Sequence, residues 1–115
     1  IACSAALASI ELLKTKEIQD NIQFIENSNI SFSEKIENHP KVNTTRCKGV
    51  ILAIDLNTNA GRYGTLRAQL LKSFMDEGVF LRPLGNTIYI QPPYVITKEQ
   101  LEKIYTTIEK VLDSL

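Results

Sequence analysis

The chain has 115 residues, 43% of them apolar and 23% charged, the usage of a folded domain with one core rather than of a disordered tail or a helical rod. Thirteen Lys and Arg balance thirteen Asp and Glu, so no positive excess draws the chain to phosphate backbones or anionic lipid, and neither nucleic acid nor a membrane surface is an expected partner. Cys3 and Cys47 are far apart and form no CxxC pair, which fits reduced thiols and a cytoplasmic protein.

Ile1–Lys14 (IACSAALASIELLK) has high helix propensity, and its Ala and Ser positions predict a helix packed closely on a neighbour. The start at Ile1, with no Met and no capping residue before the helix, predicts a piece of a longer protein. From Lys16 to Asn38 the apolar positions Ile18, Ile22, Ile25, Phe32 and Ile36 recur at helical spacing, with Asn29 the one polar member of the stripe. A bend is conceivable at Ser28–Ser31, and Pro40 ends the helix. Lys48–Leu56 (KGVILAIDL) reads as a strand buried on both faces, with Val42–Cys47 as its antiparallel neighbour. Asn57–Gly64 is turn chemistry.

Thr65–Glu77 carries Leu66, Leu70, Leu71, Phe74 and Met75 on one helical face, and Gly78 stands where a left-handed cap belongs. Val79–Leu84 and Thr87–Gln91 predict two strands around the tight turn Gly85-Asn86. After Pro92-Pro93, Thr97 and Gln100 make a capping box for a last helix with Leu101, Ile104, Ile108, Val111 and Leu115 inward. The order ααββαββα predicts a single α+β domain over residues 1–115, with helices covering one face of a small antiparallel sheet.

The chemistry-bearing residues are few. One His and two separated Cys make no metal cluster, and His39 reads as structural or solvated. The five glycines form no phosphate-cradling loop. Asp55 is a conceivable general base at a strand end, Lys48 a conceivable Schiff-base lysine with nothing nearby to activate it, and Arg62 and Tyr63 lie in a loop open to a ligand or partner. Arg82 is the strongest candidate. A tight turn at Gly85-Asn86 sets it directly opposite Tyr89, so a guanidinium fork and a phenol project from one sheet face, a pairing suited to a carboxylate. An exposed Arg stacked on its aromatic neighbour is the alternative.

The stretch GVFLRPLGNTIYIQPPYVIT (Gly78–Thr97) resembles the C-terminal segment of class III pyridoxal-phosphate aminotransferases, with its R-P-x-G-N hairpin and Pro-Pro run. ACSAALASIELL (Ala2–Leu13) resembles that family's helix leading from the large to the small domain, and RCKGVILAIDL (Arg46–Leu56) its R-x-x-G strand. The likeness runs over essentially the whole chain and implies the C-terminal small domain of a fold-type I aminotransferase. It implies that an upstream large domain binds pyridoxal 5'-phosphate through a lysine, an aspartate and phosphate contacts, and that the full enzyme is a homodimer with small-molecule substrates. By the same resemblance Arg82 matches the arginine that holds the oxo-acid carboxylate, and Tyr89 a tyrosine beside it. No residue here matches the family's catalytic lysine. The tyrosine-bearing IYIQPPYVIT is most similar to members that transfer the amino group of S-adenosylmethionine to 8-amino-7-oxononanoate in biotin biosynthesis. Members acting on ω-amino acids, and a free-standing ligand-binding module, are the alternatives. Lys16–Lys41 keeps only the helical pattern of the family.

Overall fold

In a computed structural model that describes residues 1–58 and 64–115, the elements run α1 (Ala2–Leu13), α2 (Lys16–Ile36), β1 (Val42–Lys48), β2 (Ile51–Leu56), α3 (Thr65–Asp76), β3 (Thr87–Ile90) and α4 (Lys98–Ser114). Thr15 separates the first two helices. Its hydroxyl donates to the Leu12 carbonyl at 2.7 Å and accepts the Ile18 N–H at 3.5 Å, so one side chain closes α1 and caps α2. The expected final cap is present too: Thr97 and Gln100 exchange side-chain and backbone bonds at 3.0 and 3.2 Å.

The sheet is antiparallel in the order β1-β2-β3. β1 and β2 form a hairpin with Lys48 opposite Ile51, which corrects the expected strand Lys48–Leu56. Gly49, at φ +54°, takes the turn that a side chain would resist, and the strand begins only after Val50. A second correction concerns burial. Along β2, Leu52, Ile54 and Leu56 point into the core, whereas Ile51 is exposed and Ala53 and Asp55 half-buried. The sheet therefore has one covered and one open face, and the apolar residues on the open side made the strand read as two-sided.

The core is one cluster. Leu52, Ile54, Leu56, Ile88 and Ile90 from the sheet meet Ile25, Phe32 and Ile36 of α2, Leu70 and Phe74 of α3, and Leu101, Ile108, Val111 and Leu112 of α4. At its centre lies the polar exception in the α2 stripe. Asn29 is fully buried, donates to the Val50 carbonyl at 3.0 Å and accepts from the Tyr105 hydroxyl at 2.7 Å, while the Tyr105 ring stacks on Phe32 at 4.3 Å. One amide thus ties α2 to the β1–β2 turn and to α4. Burial pushes the Tyr105 phenol well above its ordinary range, and the nearby Glu102 and Cys47 add to the rise.

α2 runs as one helix through Ser28–Ser31. α1 departs from expectation: it buries no residue, and Leu7, Ile10, Leu12 and Leu13 lie exposed along it.

Candidate substrate-binding site

The backbone that carries Arg82 is set by how α3 ends. Gly78 adopts φ +74°, its N–H bonds the Met75 carbonyl, and the Val79 N–H bonds the Phe74 carbonyl, both at 2.9 Å. These are the paired bonds of a Schellman cap, sealed by Val79 and Phe74, which are both buried. Beyond it the chain alternates: Val79, Leu81 and Pro83 turn inward, and Phe80, Arg82 and Leu84 outward. Arg82 is thus gripped between two buried neighbours.

The far end is equally fixed. Leu84 and Thr87 exchange backbone bonds of 2.8 and 3.0 Å across Gly85-Asn86. Gly85 at φ +64°, followed by a residue of negative φ, has the signs of a type II′ turn. Asn86 then locks the turn to the central strand: its carbonyl accepts the Leu56 N–H at 2.8 Å, and its side-chain amide donates to the Leu56 carbonyl at 3.1 Å. Between the two ends, Arg67 of α3 donates its Nε–H to the Pro83 carbonyl at 3.3 Å.

The expected strand Val79–Leu84 does not form. Leu84 makes a single isolated bridge to Thr87, in the register of the expected hairpin, but no ladder continues outward from it to Arg82, and on the other edge of β3 Tyr89 pairs with Ala53 of β2. The physical reason lies in the same residues: Pro83 has no N–H to give a ladder, and its carbonyl is taken by Arg67. Arg82 and Tyr89 are nonetheless both exposed, each alternating with buried neighbours in its own segment. Neither side chain makes a hydrogen bond or ion pair with a described residue.

The open sheet face holds a polar network that composition and spacing did not point to. Asp55 Oδ2 pairs with Arg46 Nη1 at 2.9 Å, and Oδ1 accepts from Arg46 Nη2 at 3.1 Å and from the Thr87 hydroxyl at 2.6 Å. With a bidentate guanidinium and a hydroxyl on its oxygens, Asp55 is an ion-pair partner rather than a free base. The network lies beside Tyr89, since Arg46 and Tyr89 flank Ala53 on adjacent strands.

The other candidates separate from this region. His39 accepts the Lys41 N–H on Nδ1 at 3.1 Å, so the proton of the neutral ring lies on Nε2, which faces Asp113 Oδ1 at 3.1 Å. That is a structural role joining the end of α2 to α4. Lys48 is exposed at the end of β1. Arg62 and Tyr63 lie outside the described residues. Cys47 is half-buried, and burial, with Glu26 nearby, pushes its thiol up, away from reactivity. Arg67 escaped the sequence reading because its partner is a backbone carbonyl sixteen residues away, which leaves no spacing signal. Asn29 did have one, as the polar member of an apolar stripe.

These features sit in a chain that belongs to the class III aminotransferases, whose family model matches residues 1–112. Among its relatives, the adenosylmethionine-8-amino-7-oxononanoate aminotransferase of Synechococcus elongatus is 36% identical over 116 residues, which cover 100% of this chain and 27% of the relative. The enzyme of the same name from Corynebacterium glutamicum is 32% identical, over 94% of this chain and 24% of its own. The chain therefore spans about a quarter of the length of these relatives. Among solved structures, an acetylornithine aminotransferase from Elizabethkingia anophelis superposes with a TM-score of 0.83 at 28% identity, over 99% of this chain and 28% of that one. The PMP-bound form of an aminotransferase from Vibrio fluvialis, at 21% identity, shares the fold with a TM-score of 0.86, over 97% of this chain and 26% of that one.

Class III aminotransferases depend on pyridoxal phosphate. All nine lysines are exposed, and Lys14, Lys16, Lys35, Lys72 and Lys110 are engaged in surface ion pairs. A lysine that bonds covalently to a cofactor needs an enclosed position, where desolvation favours its neutral amine.

Proposed function

We propose that this chain is the acceptor-binding part of an aminotransferase that moves the amino group of S-adenosylmethionine to 8-amino-7-oxononanoate, giving 7,8-diaminononanoate in biotin biosynthesis. The observation that carries the reading is Arg82: an exposed guanidinium with no partner among the described residues, on a backbone pinned at Val79, Pro83 and Leu84. The names of the relatives from S. elongatus and C. glutamicum supply the substrate.

In this reading Arg82 receives the acceptor carboxylate with its planar fork, and the exposed Tyr89 hydroxyl adds a third donor from β3. A charge-assisted bond is worth about 1.5–3 kcal/mol, and its geometry holds the distant ketone in one place. The gain is positional: fixing one end of a flexible acid removes orientational freedom before reaction. Pyridoxal phosphate, held by the large domain outside this chain, supplies the electron sink. The lysine, the aspartate and the phosphate contacts then come from that domain, and the 115-residue piece alone does not transaminate. The exposed apolar residues of α1 and the hollow lined by Leu12, Leu13, Ile18 and Val95 fit a surface that meets the large domain. The full enzyme works as a cytoplasmic homodimer.

A second reading, transfer involving an ω-amino acid, has one specific support: an omega-aminotransferase of Caulobacter vibrioides is 23% identical over 97% of this chain and 26% of its own. A panel of acceptors on the full-length enzyme separates the two. Preference for 8-amino-7-oxononanoate is the expected result; preference for a short keto acid overturns the biotin assignment.

A further inference from the structure

We infer that Arg67 is a positioning residue for Arg82, acting through a single hydrogen bond to the backbone. The inference rests on the carboxylate-binding role proposed for Arg82 and extends it to a residue outside the R-P-x-G-N segment. Arg67 is half-buried on the first turns of α3, and its Nε donates to the Pro83 carbonyl at 3.3 Å. That carbonyl lies in the Pro83–Leu84 peptide, separated from the Arg82–Pro83 peptide only by the Pro83 Cα, where the ring locks φ.

The bond matters because the segment has little else. A strand in a ladder would be held residue by residue, but Pro83 has no N–H, and between the Schellman bond of Val79 and the bridge at Leu84 no other backbone bond to a described residue fixes the chain. Leu81 and Pro83 anchor it by burial, which sets depth but not rotation. A guanidinium at the end of a long side chain amplifies any rotation of the backbone beneath it, and through the locked φ of Pro83 the Arg67 bond restrains that rotation and so the direction in which Arg82 points. No other side chain of a described residue bonds the backbone of residues 80–83.

Two substitutions isolate the donor. In Arg67→Gln the side-chain amide nitrogen occupies the same place along the chain as Nε and can still donate, whereas Arg67→Met puts a methyl group there; both remove the charge. The test is single-turnover kinetics of the full-length holoenzyme, with donor and acceptor half-reactions measured separately. Arg67→Met is expected to lower kcat/KM for the acceptor about tenfold, a loss of about 1.4 kcal/mol. The donor half-reaction stays unchanged, which also certifies folding. Arg67→Gln recovers most of the loss, and in an Arg82→Ala background Arg67→Met has no further effect.

An unchanged acceptor half-reaction in Arg67→Met overturns the inference, as does an equal loss in Met and Gln variants, which assigns the effect to charge. A loss that persists in full without Arg82 overturns it too. Should Arg82→Ala by itself leave the acceptor kinetics intact, the carboxylate role of Arg82 fails first and the inference falls with it, an outcome distinct from the others.

Discussion

Replacing Asn29 by Ala tests how the domain is held together. Asn29 is fully buried and bonds the Val50 carbonyl at 3.0 Å and the Tyr105 hydroxyl at 2.7 Å. Truncation leaves the buried Tyr105 hydroxyl and the half-buried Val50 carbonyl without this bond, at about 1–3 kcal/mol each, and the small cavity adds about 1 kcal/mol. The expected loss is thus about 3–7 kcal/mol, a large share of the roughly 5–15 kcal/mol that holds a domain. Tyr105→Phe keeps the ring stacked on Phe32 and orphans only Asn29 Oδ1, so about 1–2 kcal/mol is expected. The double variant should cost less than the sum of the singles by about 1–2 kcal/mol, because the same bond is counted in both. Hydrogen exchange in α2 and α4, resolved by mass spectrometry in the protein that carries this chain, reads these differences directly. A loss below about 0.5 kcal/mol for Asn29→Ala, or strict additivity in the cycle, contradicts the reasoning.

The same phenol gives a pH prediction. Its pKa is raised in the folded state, so the stability it contributes is complete below the unfolded value of about 10 and drains away as pH climbs above that; α4 should lose exchange protection in that range, and Tyr105→Phe should flatten the loss. Gly78→Ala meets both an unfavourable φ of +74° and Lys103 Nζ at 3.2 Å from the new Cβ, whereas Gly49→Ala at φ +54° meets nothing within 4 Å. Both should destabilise by about 1 kcal/mol through backbone conformation, with Gly78→Ala the costlier in thermal melts and Gly78 the only one of the two to weaken acceptor binding. Thr97→Ala removes the capping box of α4 and should cost about 1 kcal/mol in the same melts.

Helix positions were legible because their periodicity is set by the core they face. The α2 stripe, the capping box at Thr97 and the Gly78 cap all read from residue type alone, and each is present in the structure. The hairpin at Gly49 was not legible, since Val50 and Ile51 continue an apolar run straight through the turn and hide it. The missing strand at Val79–Leu84 has a cause visible in the sequence: Pro83 sits where a ladder needs a donor. The inward alternation of Val79, Leu81 and Pro83 imitates a strand although the backbone groups bond elsewhere. Of the candidate site, Arg82 could be picked out by its stiff surroundings, but the network of Arg46, Asp55 and Thr87 depends on register across three strands, which spacing does not encode.

The central claim is that Arg82 holds the acceptor's carboxylate. The direct measurement compares 8-amino-7-oxononanoate with its methyl ester in the acceptor half-reaction of the full-length enzyme, for the native protein and for Arg82→Ala. The native enzyme should prefer the acid by about a hundredfold in kcat/KM, equivalent to roughly 2.7 kcal/mol, and Arg82→Ala should turn over acid and ester alike. An Arg82→Ala enzyme that still favours the acid to the native extent contradicts the account.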